Sequence, residues 1–282
     1  MTATGPATES IAAPRSFEAD TAVVPHGDGA FRAELSDRWD RLGGGPLGGY
    51  SLAVALRSLE ARSSFPDLLN ASACFLRPAE HGAATIGTEQ VRVGRSVETA
   101  EARFVQGDTE RLRVLANFAD LAADGPSLVL GEPPSLPHPD DCLDPFEALR
   151  PSGTVADRVE YRVTTAPGWL RGEPTGDPSV ECWVRFADRS DVDLVGLAFL
   201  VDAVAPVVLE LGAATSSTIE LTLHCRARPA PGWLALRAAT RFVTGGYHEE
   251  DVEIWDSTGV LVAQSRQLAR LVGALQFASP QR

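Results

Sequence analysis

The sequence predicts an α+β chain built from two similar halves, in each of which an antiparallel sheet wraps one mostly buried helix. Three observations carry this expectation. A strand-like run ending in R-P-A occurs twice, as CFLRPAEHG (74–82) and CRARPAPGW (225–233). A glycine-led block follows each at the same distance, GRSVETAEARF (94–104) and GGYHEEDVEIW (245–255). A helix candidate precedes each set, so the order helix, strand, R-P-A turn, strand, Gly turn, strand, turn, strand is met twice.

The chain opens on MTATGPATESIAAPRSFEAD, which has no basic start followed by an apolar run. Residues 1–20 are therefore expected to be a disordered tail and not a secretory signal. A strand pair is expected around AVVPHGDGAFRAELSDRW (22–39). GGGPLGGY (43–50) then opens onto SLAVALRSLEAR, where Leu52, Leu56 and Leu59 recur at helical spacing. The first R-P-A set completes a unit over 21–122. Proline-rich PSLVLGEPPSLPHPDDCLDPFEALRPSG (126–153) reads as a connector, giving a linker over 123–153. The second unit, 154–275, starts with strands in DRVEYRVTTA and VECWVRFA. Its helix lies in DRSDVDLVGLAFLVDAVAP (188–206), with Asp191 as N-cap and Pro206 past the end. That helix is apolar nearly all round and should be buried on most sides.

Composition narrows the functions open to such a chain. Its 282 residues carry a formal charge of −13, which argues against a nucleic-acid partner, since phosphates require a basic face. All 25 basic residues are arginine, so no lysine is present for Schiff-base chemistry. Cys74, Cys142, Cys182 and Cys225 are scattered without a C-x-x-C pair, suggesting buried thiols and neither disulfides nor zinc. His26, His81, His138, His224 and His248 have no ligand-pair spacing, and no metal or other cofactor is expected. No run is long and apolar enough for a membrane span, and a cytoplasmic protein is expected. Gly43, Gly45 and Gly48 formally satisfy G-x-G-x-x-G. The dinucleotide reading fails because SDRWDRL (36–42), not a buried strand, precedes them.

The segments WDRLGGGPLGGY (39–50), FLRP (75–78), GRSV (94–97), TIELTLH (218–224) and DSTGVLVAQSRQ (256–267) resemble the acyl-CoA thioesterase II family, in particular its actinobacterial thioesterase-like branch. The likeness runs from about residue 20 to 275. It implies a double hotdog that hydrolyses fatty acyl-CoA and assembles as a homo-oligomer, a dimer or larger. It also implies a catalytic set of an Asp after the second helix, a Thr or Ser on the next strand and a Gln on the last. By position these are Asp202, Thr218 and Gln267, with Ser217 and Thr222 competing for the second place and Gln264 for the third. The loop from Asp202 to Thr218 is shorter than its family counterpart.

Those residue types suit hydrolysis. A carboxylate accepts a proton from water, while Thr and Gln hold that water by uncharged hydrogen bonds. No covalent nucleophile is needed, and no G-x-S-x-G elbow is found. Alternation in SSTIELTLHCR (216–226) sets Thr218 with Glu220, Thr222 and His224 on a polar face, opposite Ile219, Leu221, Leu223 and Cys225. Glycines opening the first helix leave amides free for an anionic atom, with Gly48 and Gly49 as candidate oxyanion donors. Two other readings stand beside the hydrolase. One is a non-catalytic double hotdog that binds acyl-CoA or another acyl ligand. The other is a dehydratase, which requires a helical His that neither helix has.

Overall fold

The computed structural model describes residues 16–148 and 151–277. The first half contributes α1 (Phe17–Asp20), β1 (Val24–Pro25), β2 (Ala30–Leu35), α2 (Gly48–Glu60), β3 (Asp67–Phe75), β4 (Gly82–Val93), β5 (Glu98–Gln106) and β6 (Thr109–Ala119). The second contributes α3 (Val155–Arg158), β7 (Val159–Val163), β8 (Ser179–Phe186), α4 (Leu194–Leu200), β9 (Thr215–Cys225), β10 (Leu234–Ala239), β11 (Val243–Thr244), β12 (Tyr247–Trp255) and β13 (Leu261–Val272). The strands join one sheet in the order β1-β2-β4-β5-β6-β3-β9-β13-β12-β10-β8-β7, with β11 paired to β12 alone. Every strand pair is antiparallel. This is the double hotdog: β2-β4-β5-β6-β3 and β9-β13-β12-β10-β8 mirror each other about the β3–β9 junction.

The sheet curls because its inner face must cover two apolar helices. Inner-facing Ala100, Ala102, Phe104, Val114 and Ala116 are buried, as are Leu52, Ala53, Leu56 and Leu59 of α2. In α4 every residue is buried, so the helix runs through the interior with no polar face. α2 and α4 pack directly on each other, and one contiguous core spans both halves. Two ion pairs also cross between halves: Arg57 to Asp193 at 2.6 Å and Arg228 to the buried Asp67 at 2.6 Å.

Of the expected tail, residues 1–15 lie outside the described residues. Residues 17–20 differ from the expectation, for they form α1, capped by the Ser16 hydroxyl. The cause is apolar packing. The Phe17 ring stacks on Phe186 with centroids 4.9 Å apart, meets Trp39 edge-on at 5.1 Å and touches Phe199 at 4.8 Å. Asp20 follows it inward, accepting from Trp39 Nε1 at 2.8 Å and pairing with Arg38 at 2.9 Å. Polar spacing around a single aromatic concealed this anchor in the sequence.

Candidate active site

α2 begins at Gly48 with no side-chain cap, so its first amides need partners from elsewhere. The other half supplies one: Gly49 N–H donates to Asp202 Oδ2 at 2.6 Å. A Cβ at Gly49 would lie 2.9 Å from Asp202 Cβ and 3.0 Å from the Phe199 carbonyl, so only glycine admits this approach. The bond also means that Gly49 is not a free oxyanion donor, contrary to the sequence expectation. Gly48 N–H has no partner among the described residues.

Asp202 follows the end of α4, where its own N–H donates to the Phe199 carbonyl at 3.1 Å. The cap that starts α4 is Asp193, accepting from Gly196 N–H at 2.7 Å, and not Asp191. Leu194 is the first buried residue of this stretch, and the cap directly precedes it. Burial pushes the Asp202 carboxyl up to about 7, against the downward pull of the Gly49 N–H. The side chain is half-buried, and its open part faces a cavity of about 1170 Å³.

Thr218 and Gln267 meet across β9 and β13, with Thr218 Oγ1 donating to Gln267 Oε1 at 2.8 Å. The expected alternation sets Thr218 on the polar face, opposite Leu221; the structure turns it to the Leu221 side. Glu220 pairs with Leu268 and Thr218 with Ala269, so Ile219 is an extra residue, a β-bulge. The bulge leaves Ile219 exposed and brings Thr218 and Ser216 onto the face of Leu221 and Leu223. The competing residues point elsewhere. Thr222 donates to Glu220 and lies 3.3 Å from the Ser72 hydroxyl, Ser217 is exposed, and Gln264 accepts from Arg226.

Glu250 was missed in the sequence. Gln267 Nε2 donates to Glu250 Oε1 at 2.9 Å, and Val207 N–H donates to Oε2 at 2.8 Å. This carboxyl is 1% exposed, and burial pushes it up to about 7, with the Val207 and Gln267 bonds opposing and Asp202 adding to the rise. The signal was present in GGYHEEDVEIW. There, His248 and Glu250 share the parity of the inward Val252 and Ile254. His248 is buried as well, with Nε2 2.7 Å from the Ser216 hydroxyl, and burial holds it below its ordinary value.

Asp202, Thr218, Gln267, Gly48 and Ser216 all line the cavity, together with Phe75, Phe146 and Tyr161. Arg41, Arg77 and Arg111 line it too, which places cations at the wall of an acidic protein. Ser51, one turn into α2, reaches the same cavity with a buried hydroxyl that has no hydrogen-bond partner. Among the described residues no group of three or more His, Cys, Asp or Glu could hold a metal ion.

The family model of the acyl-CoA thioesterase N-terminal domain matches residues 35–119, and that of the C-terminal domain matches 138–271. A thioesterase II candidate from Thermobifida fusca YX is 31% identical, with 91% of this chain and 97% of that one covered and a TM-score of 0.83. A hot dog fold protein of unknown function from Alicyclobacillus acidocaldarius reaches a TM-score of 0.82 at 22% identity, covering 92% and 98% of the two chains. An uncharacterized protein of Mycobacterium tuberculosis is 25% identical over 268 residues, covering 85% of this chain and 90% of its own.

Proposed function

The chain belongs to the acyl-CoA thioesterase family, and from that premise we propose that it hydrolyses a fatty acyl-CoA by direct attack of a water held between Asp202 and Thr218. The observation that carries this reading is the Asp202 carboxylate itself. It sits at the positive end of a helix, with its pKa raised to about 7, on the same cavity wall as the Thr218–Gln267 pair. A base that titrates near neutrality is deprotonated often enough to act and basic enough to take a proton.

In the proposed step, Asp202 accepts one proton of the water and the Thr218 oxygen accepts a hydrogen bond from the other. The remaining lone pair attacks the thioester carbon. Charge grows on the carbonyl oxygen, for which Gly48 N–H and the unpartnered Ser51 hydroxyl are donors without other duties. Collapse breaks the C–S bond, and the proton held by Asp202 passes to the departing thiolate. Arg41 and Arg77 at the cavity wall suit the phosphates of CoA.

Thiol release from a panel of short, medium and long acyl-CoAs tests the proposal. Turnover is expected, with kcat reduced about 100-fold or more in Asp202→Asn and KM little changed. A wild-type protein without turnover on any chain length would favour the acyl-binding reading instead.

A further inference from the structure

Resting on the water-attack reading above, we infer that Glu250 is a positioning residue whose negative charge sets the direction of the hydrogen-bond relay Glu250–Gln267–Thr218, and so which way the Thr218 hydroxyl faces the attacking water. Donor and acceptor roles fix the direction of the relay. Both carboxylate oxygens of Glu250 accept, one from Val207 N–H and one from Gln267 Nε2. That fixes the Gln267 amide with Oε1 toward Thr218, which must then donate to it. The Thr218 proton is thereby turned away from the cavity, and the oxygen lone pairs are left for a water proton. Water with both protons accepted, one by Asp202 and one by Thr218, keeps a lone pair free to attack.

Protonating Glu250 reverses every bond in the chain. Val207 N–H can only donate, so the new proton on Glu250 must go to Gln267, whose amide flips to present Oε1 to it. Gln267 Nε2 then donates to Thr218, and the threonine proton swings into the cavity. There it donates to the water oxygen and occupies the lone pair needed for attack. One buried charge, two residues removed from the water, decides between a productive and an unproductive water.

The surroundings leave that charge sensitive to pH. Asp202 bears on Glu250 from beyond α4, and Glu249 lies beside it on β12; both raise its pKa. His248, the preceding inward residue of β12, is held toward its neutral form by burial. The turn that supplies Val207 also carries Glu210, but this carboxylate accepts from Thr175 N–H and Oγ1 instead. Thr240, beside β12, spends its hydroxyl on the Glu249 carbonyl. Burial, the Val207 and Gln267 bonds and the Asp202 and Glu249 carboxylates are the leading influences on Glu250.

Glu250→Gln provides the test, because a neutral amide of the same shape keeps its oxygen on Val207 N–H and offers Gln267 a donor, as protonated Glu250 would. Expected are a kcat lower by roughly 10- to 100-fold, KM within about twofold and an unchanged melting temperature or a higher one. Glu250→Gln combined with Gln267→Glu restores an acceptor toward Thr218 and a donor–acceptor match behind it. This pair should recover about tenfold or more of the lost kcat. In wild type, two carboxylates must be ionised, so the acid limb of log kcat against pH should approach a slope of two. In Thr218→Ala, where the relay has no end, it should fall to one. Wild-type kcat in folded Glu250→Gln, no recovery in the double variant, or a wild-type slope of one would each overturn the inference. Those results leave the water-attack reading standing as long as Asp202→Asn is inactive; loss of that Asp202 dependence would remove the reading itself.

Discussion

At Asp202, the proposed catalytic role and stability pull in opposite directions. In the unfolded chain its carboxyl titrates near the ordinary value of about 3.9, while in the fold burial raises it to about 7. Between those values the native state binds more protons than the unfolded one, so stability declines as pH rises through that window. The ionised form that the proposed reaction needs is therefore the costly one. Asp202→Asn removes the charge and keeps an oxygen for Gly49 N–H. It should raise stability at pH 8 by on the order of 1–3 kcal/mol, a figure discounted for the open side of the carboxyl. The gain should shrink as pH falls through that window, to about 1 kcal/mol or less near pH 4.5, and vanish only near pH 3, where the unfolded chain carries the proton as well. Paired thermal melts at pH 8 and pH 4.5 check this, and a variant less stable than wild type at pH 8 contradicts it. The same substitution relieves Glu250 of a like charge, so its pKa should fall in the variant.

At the scale of elements, two local devices aim the site. The first is the start of α2, where adjacent glycines let a helix from one half abut the end of α4 from the other. Gly49→Ala would drive a methyl against Asp202 Cβ and the Phe199 carbonyl, parting the helices and the 2.6 Å bond between them. Both the melting temperature and kcat should fall, with a stability loss of about 1–3 kcal/mol. A fully active and fully stable Gly49→Ala protein would contradict the assignment of this contact. The second device is the bulge at Ile219. Glycine before a helix is legible in sequence because few other residues open a helix that way. A bulge is not legible, since one extra residue in a strand leaves composition untouched while resetting the alternation that follows. That is why alternation alone sets Thr218 opposite Leu221, although the resemblance selects it for the site. Glu250 escaped for a related reason: in H-E-E-D every residue is polar, and only the buried Val252 and Ile254 downstream reveal which of them turn inward.

For the whole molecule, the duplicated order of strands and turns was readable because each half repeats it. What no sequence pattern gives is how the halves meet. β3 pairs with β9 from Asn70–His224 to Cys74–Glu220, which makes one sheet of two. The candidate site is shared in the same way: Gly48, Gly49 and Ser51 come from the first half, while Asp202, Thr218, Glu250 and Gln267 come from the second. The segment after β6 belongs with the second half, since Pro137 accepts from Trp183 Nε1 and Glu132 from Arg237. A cut between Asp124 and Gly125 therefore separates the units with little loss of contact within either. Neither fragment alone should hydrolyse acyl-CoA above about 1% of the intact rate, for the second lacks both oxyanion donors and the first lacks the whole water-holding set. Co-expressed, they should co-elute as one particle held by the β3–β9 ladder, the α2–α4 contact and the Arg57–Asp193 and Arg228–Asp67 pairs, and should recover activity. Activity in fragment 125–282 alone would show that α2 is dispensable. Co-elution without activity would show that the Gly49–Asp202 contact depends on the covalent link.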